Sequence, residues 1–486
     1  MPRLSVTTTY INPNMEAFPY RMTEDEGKGL YDLLSLYSPH NVFRKVVTYF
    51  GSGGGMPIHA GHSEYYDFDY VVRRLTGLSS LSIGLNTTLF AGGKGYDIPG
   101  MFLSSLSEAF ERVLGAIAFF KEMEKFVHGS YKELVNQGYN CLSPDGVPLF
   151  AEEQYQSGDL LYERFTEDSS VGWIEGSRLI SRERVWVPAQ LVLLFYSMYP
   201  KESLIGYATS GGLASHINEK EALFHGIAEL IERDAVNLRW NCKIAPERVQ
   251  FDREPRLREM RRLLEAAEGL PGKPRFYLHT VDIEIPVVTV KEIFPCFKRY
   301  AYYAGGGADI DIELAMLKAL IEYGQAERSL RLAMGAPERG FAHGVRRMFD
   351  VGQDTPVSKI DIFFKIVAFY GYQKNYKKMD WYLEGGKSVP LSSLPEFRSN
   401  STEERFDHLM QILKKYQIDP IIFNFTPPQM RQIKLMKVYI PEITPPYLHS
   451  SPLLGHPRYY EVPYTLGLAN KPLRFSDLNS DPLPYP

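Results

Sequence analysis

Three times in this chain a glycine-rich stretch leads into a long run of helical periodicity. The runs are "GKGYDIPGMFLSSLSEAFERVLGAIAFFKEMEKFV", "SGGLASHINEKEALFHGIAELIERDAVNLRW" and "RYAYYAGGGADIDIELAMLKALIEYGQAERSLRLAM". In each, apolar residues recur at intervals of three and four, the spacing of one helical face. The repeated unit reads as strand, glycine loop, long helix, near residues 80–120, 205–240 and 295–335. The glycines read as tight turns or close backbone approaches.

The remaining segments are weaker. "KVVTYF" and "GLSSLSIGLNTTLF" read as strands, and "GGKGYDIPG" as the loop after the second of them. "VGWIEGSRLISRERVWVPAQLVLLFY" reads as two strands followed by a helix opened by proline. "KPRFYLHTVDIEIPVVTVKEIF" reads as a strand pair and "DREPRLREMRRLLEAAEG" as an amphipathic helix. "DTPVSKIDIFFKIVAFYGY" and "STEERFDHLMQILKKYQ" are helix candidates, and "DPIIFNFT" and "MKVYIPEI" are strand candidates. The stretch from 410 to 440 suggests a small strand–helix–strand unit. No long polar linker divides the chain. We expect an N-terminal segment over 1–75, a catalytic core over 76–400 and a C-terminal α/β segment over 401–486.

Composition excludes several classes of function. The 486 residues are 44% hydrophobic and 23% charged, as in globular proteins, and the net charge of −4 gives no nucleic-acid surface. The three cysteines stand far apart, so neither a disulfide framework nor a structural zinc site is expected. The start lacks the apolar core of a signal peptide, and "AQLVLLFYSMYP" is too short to span a membrane. A cytoplasmic protein is expected.

The three helices carry charge on one face. The first has Glu108, Glu111 and Arg112, the second Glu221, His225, Glu229, Glu232 and Arg233, and the third Lys318 and Glu322. Two readings are open. Salt-bridged carboxylates on a solvated face are one. The other is a metal–phosphate site, because crowded carboxylates are relieved by a cation and Arg or Lys neutralises phosphate oxygens. Lys94 in "GGKG" is a candidate phosphate contact, although "GGKG" lacks the spacing of a P-loop and no dinucleotide fingerprint is present.

These motifs resemble the YcaO family. "GKGYDIPGMFLSSLSEAFER", "SGGLASHINEKEALFHGIAELIERDA" and "AGGGADIDIELAMLKALIEYGQAER" correspond to its three signatures, over roughly residues 75–335. The resemblance implies an α+β fold, with repeated strand–loop–helix units packed on mixed sheets, that binds ATP and Mg2+ without a P-loop. Carried over, Lys94, Ser104, Glu108, Arg112, Glu229, Arg233, Lys318 and Glu322 would bind nucleotide. Glu111, Glu221, Glu232 and Asn218 would hold metal. The chain departs from the family pattern in two places. His216 and Ile217 stand where Gly-Asn is usual, with Asn218 one step later, and Lys318 replaces an arginine.

The family activates a backbone amide of a ribosomally made peptide. With Cys, Ser or Thr as nucleophile the products are thiazolines and oxazolines, with water lost overall. Azoline-forming members end in PxPxP, as does "PLPYP", so the resemblance points to a peptide cyclodehydratase whose tail enters the site. Candidate bases are His216, His225 and the carboxylate of Pro486. The implied partners are the precursor peptide, a separate leader-binding and activating protein, and a flavin-dependent oxidase that would convert azolines to azoles. Homodimers occur among relatives. Thioamide or amidine formation, and a peptide-binding scaffold without turnover, are the competing readings.

Overall fold

The computed structural model describes residues 24–37, 43–49, 55–65, 91–122, 125–194, 196, 198–268, 273–296, 299–335, 351–360, 363–399 and 401–485. The strand expected at "GLSSLSIGLNTTLF" and the terminal Pro486 lie outside them.

Three sheets organise the described residues. The first is antiparallel, β1 (Phe43–Tyr49), β2 (His59–Tyr65) and β3 (Ala91–Gly95), in that order. The second contains β4 (Val127–Gly129), β5 (Val171–Arg178), β6 (Arg184–Pro188), β7 (Leu213–His216), β13 (Ile421–Asn424) and β14 (Lys434–Tyr439). Its order is β4-β5-β13-β14-β7, with β6 paired to β5. The third runs β11-β10-β9-β8-β12, built from β8 (Glu247–Gln250), β9 (Arg275–Leu278), β10 (Val287–Cys296), β11 (Arg299–Ala308) and β12 (Ser388–Pro390). The β8–β12 pair is parallel and the rest of that sheet antiparallel, so it is mixed.

Among the described residues, the helices of eight residues or more are α1 (Glu24–Ser35), α2 (Ile98–Glu122), α3 (Glu219–Asn241), α4 (Arg258–Ala267), α5 (Ile312–Gly335), α6 (Phe363–Tyr370), α7 (Thr402–Lys415) and α8 (Arg458–Thr465). The three long ones are those the periodicity predicts. α2 lies on the first sheet and touches β7, α5 covers β10 and β11 and reaches β2 and β3, and α3 runs between β7–β14 and β10–β11. This is the expected α+β architecture. No described helix is long and apolar enough to cross a membrane.

Position explains the composition of α3. Ala222, Leu223, Ile227, Leu230, Ile231 and Val236 are buried, and so are Glu221 and Glu232. Helices with an apolar surface nearly all round belong inside a protein. The charged stripe is therefore turned into the protein, toward the neighbouring helices and strands.

Three expectations are corrected. First, the glycines of "AGGKG" and of residues 305–307 lie within strands β3 and β11, not in loops. A β-carbon on Gly93 would stand 1.9 Å from Ser105 Oγ and 2.3 Å from the Met101 carbonyl. One on Gly307 would stand 2.5 Å from the Ala315 carbonyl. Glycine here lets the backbone of the following helix lie directly on the strand. Second, the helix expected after Pro188 is only a 3₁₀ turn, Ala189–Leu191. Val192, Leu193 and Leu194 are buried there, and Gln190 bonds the Ser203 carbonyl (2.8 Å) and the Ile205 amide (3.1 Å). Tertiary packing overrides the local preference. Third, the stretch from 410 to 440 runs helix–strand–strand, and β13 and β14 insert between β5 and β7.

Candidate functional site

The long helices meet at a cleft whose inner pole is rich in acid. Lys94, on β3, pairs with Glu322 of α5 at 2.9 Å. Glu322 also accepts the Gly306 amide at 2.8 Å. Burial alone would lower the Lys94 amine, but Glu322, Glu108 and Glu232 outweigh it and hold the amine above its usual range. Burial would likewise raise Glu322, yet Lys94 and the Gly306 amide keep it below the ordinary carboxylate value.

Glu108 and Arg112 of α2 pair at 3.5 Å. Glu111 accepts both the amide (2.7 Å) and the hydroxyl (2.9 Å) of Ser215 on β7. Burial nevertheless pushes Glu111 up to about 8. Glu229 of α3 accepts the Gly212 amide at 3.0 Å. Glu232 is raised to about 7 by burial and by the neighbouring charge of Glu322. Lys437, on β14, is 3% exposed and donates to the carbonyls of Thr209 (2.9 Å) and Gly211 (2.6 Å). Burial lowers its amine to about 8, against the pull of Glu229.

The outer pole lies at the other end of the α3 stripe. Glu221 and Glu232 are eleven residues apart, about 16 Å along a helix axis. Glu221 accepts Thr402 Oγ1 at 2.7 Å and Arg405 Nη1 at 3.2 Å. Arg405 also reaches Asp309 (2.9 Å), which pairs with Lys318 at 2.8 Å. The Arg405 guanidinium lies 4.4 Å from the Phe224 ring centroid. The rings of His216 and His225 meet edge-on at 5.8 Å. Loss of water, then the charges of Lys318, His216 and Arg405, hold the His225 imidazole well below its usual range. Asn218 caps α3, its side chain accepting the Lys220 amide at 2.9 Å.

The C-terminal segment enters the inner pole. Tyr485 is 1% exposed, its hydroxyl donates to Glu232 and its ring centroid lies 5.0 Å from the Arg233 guanidinium. Upstream, the Asn479 amide donates to the Asn241 carbonyl at 2.8 Å and Trp240 Nε1 to the Asp481 carbonyl at 2.9 Å. Lys378 pairs with Asp481 at 2.5 Å, and Tyr370 donates to the Pro482 carbonyl.

The structure thus brings Lys94, Glu108, Glu111, Arg112, Glu229, Glu232, Arg233 and Glu322 to the inner pole. Ser104 stands beside it, its Oγ 3.4 Å from the Lys94 amide. Glu221, Asn218, Lys318, His216 and His225 gather at the outer pole instead. Sequence reasoning missed Lys437, Ser215, Arg405, Asp309 and Tyr485. A lysine inside the apolar run "KLMKVY" was a readable signal for the first. The others come from elements remote in sequence.

The donor set is chemically suited to a magnesium–phosphate group: carboxylate oxygens for a hard cation, Lys and Arg for phosphate. Glu111 and Glu232 are raised first by burial and then by the neighbouring charges of Glu108 and Glu322, and a cation beside them would favour their ionised forms. Among the described residues no three His, Cys, Asp or Glu side chains converge on one point. Each inner-pole carboxylate instead has its own ion-pair or hydrogen-bond partner in the protein.

An α+β fold that gathers glutamates with Lys and Arg side chains, in a sequence without a Walker or Rossmann fingerprint, defines a class apart from those folds. Residues 92–444 match the YcaO family, described as "YcaO cyclodehydratase, ATP- and Mg2+-binding". The chain belongs to the YcaO family. It is similar to a heterocyclase solved in complex with substrate and cofactor, with TM-score 0.73 and 20% identity, covering 96% of this chain and 58% of that one. It is also similar to YcaO from Methanopyrus kandleri bound with AMPPCP and Mg2+, with TM-score 0.56 and 18% identity, covering 87% of this chain and 91% of that one. At these identities the likeness is one of fold. An uncharacterised protein of Methanothermobacter thermautotrophicus is 30% identical over 162 residues, 32% of this chain and 41% of its own length. The chain therefore spans about half the length of the first relatives it matches.

Proposed function

We propose that this chain is an ATP-dependent peptide cyclodehydratase. It acts on Cys, Ser or Thr residues of a ribosomally made precursor, closing thiazoline or oxazoline rings with loss of one water each. The observation that carries this reading is the seating of the proline-rich tail, through Tyr485, against Glu232 and Arg233.

One or two of Glu108, Glu111, Glu229, Glu232 and Glu322 would ligate Mg2+, with phosphate and water completing its shell, and Lys94, Arg112 and Arg233 would neutralise phosphate. Bound Mg–ATP would supply the phosphoryl group that turns the amide oxygen into a leaving group. The chain's own contribution is placement and fixed charge from partly buried side chains. Glycine strands bring β3 and β11 against the helices that carry the carboxylates, so those groups are held before substrate arrives. Burial and the charges of Lys318, His216 and Arg405 keep the His225 imidazole neutral and disfavour its taking up a proton. A separate leader-binding protein would deliver the peptide.

The test is mass spectrometry of a Cys-rich precursor incubated with this protein, its partner, Mg2+ and ATP. The expected result is loss of one water per modified residue with release of phosphate. Oxygen-for-sulfur exchange would select thioamide chemistry instead. An unchanged mass for a precursor known to be processed in cells would overturn the reading.

A further inference from the structure

The phenol of Tyr485 reaches Glu232 through a gap that only glycine leaves open. A β-carbon on Gly306 would stand 1.4 Å from the Tyr485 hydroxyl oxygen and 2.7 Å from Glu232 Oε1. The same residue's amide holds Glu322. One strand position therefore admits the tail and orients a glutamate of α5. Among the described residues, the Tyr485 phenol is the hydrogen-bond donor to Glu232.

We propose that Tyr485 is a positioning residue for the nucleotide site, its phenol holding the Glu232 carboxylate in the orientation that binds the Mg2+–nucleotide. This rests on the reading of the cleft as that site. A glutamate side chain has three rotatable bonds, and a carboxylate without a donor samples several of them. A hydrogen bond from a buried phenol, itself wedged under Arg233, removes that freedom before the ligand arrives. The seated tail and the metal site then behave as one unit, joined through the Tyr485 hydroxyl on Glu232 and its ring on Arg233.

The geometry separates this role from simple anchoring. The contacts from Asn479, Asp481 and Pro482 to Asn241, Trp240, Lys378 and Tyr370 do not involve the phenol. Tyr485→Phe keeps the ring on Arg233 and removes only the donor to Glu232.

The experiment titrates Mg2+ against binding of a non-hydrolysable ATP analogue by wild type, Tyr485→Phe and Gly306→Ala. Hydrogen exchange over residues 479–485 reports tail seating. Tyr485→Phe is expected to keep tail protection while its Mg2+ midpoint rises about tenfold. Gly306→Ala, which closes the gap, is expected to raise the midpoint and also expose the tail tip. A Tyr485→Phe midpoint equal to that of wild type overturns the inference and leaves the nucleotide reading standing. Loss of tail protection in Tyr485→Phe also overturns it, because the residue then acts as an anchor. A wild-type chain with no Mg2+-dependent binding removes the nucleotide reading, and this inference falls with it.

Discussion

Arg458 reaches from α8 to clasp two carboxylates at once. It donates to Asp234 at 2.6 and 3.0 Å and to Asp282 at 2.7 and 2.9 Å. Asp234 lies on α3, is 1% exposed, and also accepts the Thr444 amide at 2.8 Å. This ties α3 to the segment leading into the tail. Arg458→Ala would leave Asp234 buried without its cation, at a cost of about 3–5 kcal/mol, read as a lower urea midpoint. Arg458→Lys should recover only part of that, because the fork that spans both acids is lost. None of these residues stands out in sequence. An Arg and two Asp scattered over more than two hundred positions carry no spacing signal until the fold joins them.

The glycine-bearing strands determine how closely helices approach the sheets. On Gly305 a β-carbon would stand 2.1 Å from the Tyr323 amide nitrogen of α5. Gly305→Ala must therefore push α5 off β11, and overpacking of this kind costs about 1–3 kcal/mol. The displaced helix carries Glu322, so nucleotide affinity should fall as well. Thermal melting and a binding titration read the two effects, and an unchanged melt would contradict the close packing. The helices were legible because their periodicity spans many turns. The role of the glycines was not, since a glycine run in sequence marks a loop and a close approach equally well. The stretch after Pro188 misled for a related reason. An apolar run without a polar face does not distinguish helix from buried irregular chain.

The molecule as a whole wedges α3 between two sheets and lays α2 against β7, and so takes Glu232 and Glu111 out of the water in which they would ionise freely. Glu111 and Glu232 are raised to about 8 and about 7, above the ordinary carboxylate value of an unfolded chain. Between about pH 4.5 and those values the folded state holds protons that the unfolded state releases. Their contribution to stability is thus full below about pH 4.5 and is lost as pH rises through 7 to 8, so the ligand-free protein should melt lower at pH 8.5 than at pH 6. Magnesium needs the ionised acids, so its binding should release protons near neutral pH. Calorimetry in buffers of different ionisation enthalpy checks this. A binding heat that does not vary with buffer would exclude Glu111 and Glu232 from the metal site.

Much was already written in the amino-acid order. The periodicity set the three long helices, and the motifs on them identified the family and named most of the acids and bases of the inner pole. What the order could not reveal is distance along and between elements. Glu221 and Glu232 share one helical face, yet that face is long enough to serve two separate groups of partners. Lys318, His216 and His225 therefore belong with Arg405 and Asp309, while Lys437 and Tyr485 arrive from remote strands and from the tail. One-dimensional spacing fixes which side of a helix a residue occupies. Only the packing of sheets around α3 sets which charges come within reach of one another, because electrostatic and hydrogen-bonded contact acts over a few ångströms in space and not over positions in a chain.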